Sequence, residues 1–111
     1  MDTLKRMKLI LDEKTAFILK MTSEDPCTAS EISKKLDIPH SVCYRKIKQL
    51  TDAELLDESE PEDPWKNRNQ PKSYVSNVEN AYVALERGEM VIVLKFRKSR
   101  EPEVIRLSTG T

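Results

Sequence analysis

Between His40 and Leu50 the chain carries three bases, Arg45, Lys46 and Lys48, and no acid. Arg45 brings a planar guanidinium fork that matches the two acceptors of a guanine edge. Ser41 and Lys48 suit phosphate oxygens, and Val42 and Tyr44 suit a thymine methyl or a sugar. His40 stands at the entrance of the same stretch. Lys34 and Lys35 precede it, and Lys66, Arg68 and Lys72 follow it in a polar, turn-prone segment. Taken alone, such bases equally describe a solvated helix face.

Other chemistries find little support. The chain has one His and two Gly, which excludes most His-based catalysis and Gly-rich phosphate loops. No HExxH motif and no Ser/His/acid set occurs, so no enzymatic activity and no cofactor are expected. Cys27, His40 and Cys43 are the only soft metal-ligand candidates. Zinc takes three or four such ligands, so Cys43 reads better as a small core residue. Cys27 stands just ahead of a helix start, a position that lowers a thiol pKa and would suit a redox sensor.

The elements that position these residues fit one domain, given 111 residues. Nineteen bases balance nineteen acids, so a charged partner must be met by a local patch rather than by a global field. No apolar run has the length of a membrane span, and the first residues lack the h-region of a signal peptide. Two cysteines make no disulfide framework, and a cytoplasmic location is expected. Charge is segregated only in the middle, where five acids in 57–64 are followed by three bases in 65–73.

Helices are predicted for the first half. Met7, Ile10 and Leu11 fit a short leading helix. Asp12 is a candidate N-cap for a helix whose inner spacing is carried by Phe17, Ile18 and Met21 and which stops before Pro26. Thr28 and Glu31 form a capping box, followed by Ala29, Ile32 and Leu36 on one face. Ile38-Pro39 breaks the chain, and Cys43, Ile47 and Leu50 set the inward face of the next helix, expected to run to about Ala53. The order is that of a helix-turn-helix.

Strands are predicted for the second half. Pro61, Pro64 and Pro71 exclude a regular helix in 57–73, and Lys72–Ser76 is a short strand candidate. Met90–Phe96 is the strongest strand, being apolar and rich in β-branched residues. Its mate is expected at Ala81–Leu85, across a turn that uses Gly88. The same residues also fit a helix ending at Gly88, because Val78, Ala81, Tyr82 and Leu85 share a helical face. Val104–Leu107 fits a last strand or a loose tail. Trp65 is expected to anchor its loop against the body. The acids of 57–63 would either repel a polyanion or pair with the neighbouring bases.

The stretch TASEISKKLDIPHSVCYRKIKQLTDAELL resembles the winged helix-turn-helix regulators of prokaryotes, in the broad ArsR-like and MarR-like sense. Asn69–Tyr74 resembles the return strand of a wing, and 74–96 resembles the β-hairpin extension of some archaeal members. The resemblance implies an α+β fold, a three-helix core plus a β-wing with a C-terminal β-hairpin extension. It implies DNA binding in the cytoplasm and transcriptional control, commonly as a dimer. Some members sense metal through paired cysteines on the recognition helix, where this chain has one. The family usually carries Gly where Glu54 stands, so a changed exit from that helix is expected.

Residues 1–76 are accordingly read as a winged helix-turn-helix DNA-binding domain, 77–107 as a hairpin extension that is a candidate dimer seam, and 108–111 as a tail. Double-stranded DNA and a second copy of the chain are the expected partners, with no membrane and an effector left open. Lys34, Lys35, His40, Ser41, Val42, Tyr44, Arg45, Lys48, Lys66, Arg68 and Lys72 are the expected DNA-binding residues. The alternative is a winged helix that docks proteins in a transcription-related complex, which overall neutrality would suit.

Overall fold

A computed structural model describes residues 1–60 and 70–108. Four helices come first: α1 (Thr3–Ile10), α2 (Glu13–Glu24), α3 (Ala29–Leu36) and α4 (His40–Asp52). A short strand, β1 (Cys27–Thr28), interrupts them between α2 and α3. Five strands follow: β2 (Leu56–Glu58), β3 (Ser73–Ser76), β4 (Val78–Glu86), β5 (Glu89–Phe96) and β6 (Glu103–Ser108).

The helix starts are set by short polar side chains that accept otherwise orphaned amides. Asp2 caps α1, and Asp12 caps α2 by accepting from the Thr15 amide at 3.0 Å. The Thr28 hydroxyl accepts from the Glu31 amide at 3.2 Å, and the Glu31 carboxylate accepts in return from the Thr28 amide at 3.2 Å. The turn between α3 and α4 closes on itself. Asp37 takes a left-handed conformation with φ 53°, and the Ser33 hydroxyl donates to the Ile38 carbonyl at 2.6 Å. Pro39 then precedes α4 with φ −59°, the value its ring imposes.

Ile18, Ile32, Cys43, Ile47, Leu50, Leu55 and Leu56 close the core beneath the helices. Phe17 does not join them as its spacing predicts: it is 41% exposed, and the buried face of α2 is Thr15, Ile18, Leu19 and Thr22. The buried Thr22 is accommodated because its hydroxyl donates to the Ile18 carbonyl at 2.7 Å.

The strands form two antiparallel three-stranded sheets, ordered β1-β3-β2 and β4-β5-β6. β1 is absent from the sequence reading because two residues carry no period. It exists because Cys27 and Thr28 pair with Tyr74 and Ser73. In the second sheet 78–86 is strand, not helix, and the last segment is strand rather than tail. Cross-strand pairing with Met90–Phe96 outweighs the helical spacing of β4. The β4–β5 turn uses Arg87 (φ 52°) and Gly88 (φ 83°), the two positive-φ positions of a tight hairpin turn.

The two sheets share one core, since Leu94 and Phe96 of β5 join the cluster under the helices. Asn77 alone separates β3 from β4. Its amide donates to the Leu55 carbonyl at 3.0 Å, its side chain donates to the Glu54 carbonyl at 2.9 Å, and its own carbonyl accepts from the Arg97 amide at 2.8 Å.

Candidate nucleic-acid interface

α4 is seated by Cys43, Ile47 and Leu50, all buried. The opposite side carries Ser41, Tyr44, Arg45 and Lys48, all exposed, with Tyr44 57% exposed. His40 is exposed at the first turn, and Lys34 and Lys35 are exposed in the last turn of α3. No side chain caps the start of α4, so its first amides keep their hydrogen-bonding capacity. With Ser41 beside them, these amides can meet an anion.

One assignment on this helix changes. Val42 is half-buried and packs against the core, so its side chain is not part of the outward face. The cause is its position one residue before Cys43, on the flank turned toward the body. Lys46 is also half-buried, and its ammonium lies 3.0 Å from Asp12, tying α4 to the start of α2. That bond, helped by the Thr15 amide, lowers the Asp12 pKa to about 2. Of the three bases on α4, two remain outward.

An open groove of about 330 Å³ separates α4 from the first sheet, lined by Tyr44, Ile47, Lys48, Thr51, Glu58 and Tyr74. Thr51, Glu58 and Tyr74 were missed from the sequence because their relation to α4 depends on β2–β3 pairing. Burial pushes the Tyr74 hydroxyl above its ordinary pKa, and Glu58 adds to that shift. Lys72 is exposed but not isolated: its ammonium lies 3.2 Å from Glu58, which raises its pKa. Asp57, on the other side of the same strand, holds Lys98 at 3.0 Å. The acidic arm thus pairs with bases at two described positions. Lys66 and Arg68, together with Trp65, lie outside the described residues.

Cys27 does not have the lowered pKa expected of a thiol before a helix. Burial raises it first, and Glu31, Asp25 and Glu24 raise it further. Its Sγ donates to the Asp25 carbonyl at 3.2 Å, inside the β1 corner. Cys43 is fully buried, is shifted upward by that burial, and donates to the Ala29 carbonyl at 3.4 Å. Among the described residues no group of three His, Cys, Asp or Glu is placed to hold a metal ion.

The exit from α4, expected to change because Glu54 stands where the resembled family usually carries Gly, still passes through a left-handed residue. Glu54 adopts φ 64°, in the left-handed region, and its backbone is fixed by Asn77. Arg6, which the sequence reading passed over, reinforces the same corner. Its Nε donates to the Ala53 carbonyl at 2.9 Å, and its guanidinium approaches Glu54 at 3.4 Å and Glu103 at 3.6 Å. The guanidinium also lies 5.3 Å from the Phe96 ring centroid.

A capped helix, a closed turn and a second helix with a basic outer side define a helix-turn-helix. Residues 10–59 match the family model of a helix-turn-helix domain, covering α2, α3, α4 and β2. No curated protein matches the chain. No helix among the described residues is long and apolar enough to cross a membrane.

Proposed function

We propose that the chain is a sequence-specific, DNA-binding transcriptional regulator without enzymatic activity. α4 enters the major groove, and the 57–76 segment acts as the wing of a winged helix beside it. The observation that carries this reading is the division of α4 into a buried apolar stripe and an exposed side bearing Ser41, Tyr44, Arg45 and Lys48. Arg45 reads a base edge, while Lys48, Ser41 and the α4 amides hold phosphates. Lys34 and Lys35 contact the backbone where α3 crosses it. His40 contacts the sugar-phosphate at the helix entrance, and Lys66, Arg68 and Lys72 contact flanking phosphates or the minor groove from the wing. The matched helix-turn-helix region supports the DNA-binding part of this assignment.

Selection of bound duplexes from a random library, at stated salt and with non-specific competitor, tests the reading. A recovered motif supports it, and enrichment of no sequence refutes specificity. Arg45→Ala is expected to cost about 1–3 kcal/mol and relax preference at one base pair. Lys48→Ala is expected to weaken all duplexes alike and reduce the salt slope by about one. DNA affinity unchanged in both variants would favour the other reading, a protein-docking winged helix, to which the zero net charge lends some support.

A further inference from the structure

We propose that the groove between α4 and the first sheet seats one backbone phosphate of bound DNA, held by Lys48 from the helix and by the Tyr74 hydroxyl from β3. The inference deepens the DNA-binding reading and rests on it. Tyr74 is the residue that needs a reason. It is 8% exposed and stands in the middle strand, opposite Cys27 of β1 on one side and Glu58 of β2 on the other. Pairing on both sides fixes its backbone. A buried tyrosine hydroxyl usually finds a partner. This one bonds to no other described residue, and it is not sealed in, because Tyr74 lines the groove. A phenylalanine would serve the packing equally well.

The other polar groups around the groove narrow the choice of ligand. The Thr51 hydroxyl already donates to the Lys48 carbonyl at 3.0 Å. The Lys72 ammonium lies 3.2 Å from Glu58 and offsets its charge. Lys48 is exposed and has no ion-pair partner among the described residues. A cation on the helix wall and a neutral donor on the strand wall therefore face the same space. An anion whose oxygens point in several directions meets both. Beside them the Ile47 side chain and the Tyr44 ring offer apolar surface that suits a sugar. A phosphodiester joins the two in one ligand, whereas a free anion leaves the apolar wall unused. Arg45 does not line the groove, so base reading and phosphate seating fall to different parts of α4. Lys48 reaches on a flexible stem, while Tyr74 stands on a paired strand, so Tyr74 sets where the phosphate sits.

Tyr74→Phe deletes one oxygen that no described residue uses, so the urea midpoint and the far-ultraviolet dichroism are expected to stay at wild-type values. Affinity for the selected duplex, read by fluorescence anisotropy, is expected to fall about fivefold to tenfold. A neutral hydroxyl displaces no counterion, so the salt slope should not move, whereas Lys48→Ala lowers it by about one. A neutral methylphosphonate placed at each backbone position in turn locates the contact. At one position the penalties of Tyr74→Phe and of Lys48→Ala should both vanish. Replacing chloride by inorganic phosphate at constant ionic strength should leave the Tyr74→Phe penalty intact. Its disappearance there would assign the groove to a free ion and overturn the backbone contact. Full duplex affinity in Tyr74→Phe overturns it too, as does a penalty that persists at every modified phosphate. Each of these results leaves the DNA-binding reading standing, because wild-type selection does not depend on the variant. If the wild-type chain retains no duplex at all, that reading falls and the contact falls with it.

Discussion

Arg6 donates from its Nε to the carbonyl of Ala53, 2.9 Å away across 47 positions of sequence. The bond joins the first helix to the residue at which α4 ends. It is nearly enclosed, and the arginine also packs its guanidinium near Phe96. Arg6→Ala removes the donor and leaves a buried carbonyl unpaired while emptying packed space. A loss of about 2–4 kcal/mol in urea unfolding is expected. Arg6→Lys restores charge without the fork and should recover only part of that loss.

Glu54 occupies a backbone conformation that costs an L-residue about 1 kcal/mol or more. Its ion pair with Arg6 spans 3.4 Å, and its own side chain is 71% exposed, so little is lost with the carboxylate. Glu54→Gly is expected to stabilise the fold by about 0.5–1 kcal/mol in chemical denaturation. Destabilisation would mean that the carboxylate contributes more than its exposure suggests.

Asp12 is held down to a pKa of about 2 by Lys46 and the Thr15 amide, against an ordinary value of 3.8. Its folded value is the lower one, so its contribution to stability is present above about pH 4 and is lost as pH falls toward 2. Lys46→Ala should move the Asp12 carboxyl upward in an NMR titration. Asp12→Asn should flatten the stability profile in that same acidic window.

Both thiols are shifted upward by burial, so little thiolate exists at neutral pH. Aromatic disulfide reagents at pH 7 are expected to modify Cys27 and Cys43 far more slowly in the folded protein than after denaturation. Rapid reaction of Cys27 in the folded state would restore the redox reading that its surroundings argue against.

Glu58 lines the groove beside α4 and lies 3.2 Å from Lys72, so it competes with a phosphate for that ammonium. On the DNA-binding reading, Glu58→Gln releases the ammonium and removes a repelling charge. Affinity for duplex DNA should rise, and the salt dependence should steepen by about one counterion. Fluorescence anisotropy across a salt series measures both quantities.

The helical half was legible because its signals are local. Asp12, Thr28 with Glu31, and Ile38-Pro39 mark helix ends within a few residues, and Cys43, Ile47 and Leu50 show which side of α4 is seated. The strand Met90–Phe96 was equally plain, being a continuous apolar run. What escaped depends on distant pairing. β1 exists only against Tyr74, the groove residues Thr51, Glu58 and Tyr74 converge only once β2 and β3 align, and Arg6 gains its role from Ala53 and Phe96. Val42 was misplaced for a related reason. Helical spacing fixes a direction of projection, but the neighbouring element decides whether that direction ends in solvent.

Asn77 leaves no slack between the helical body and the projecting sheet. Its amide, its side chain and its carbonyl are bound to Leu55, Glu54 and Arg97, on both sides of the junction. Such a connection behaves as a rigid crank rather than a tether. One residue therefore fastens the start of β4 and the end of β5 to the two residues that leave α4.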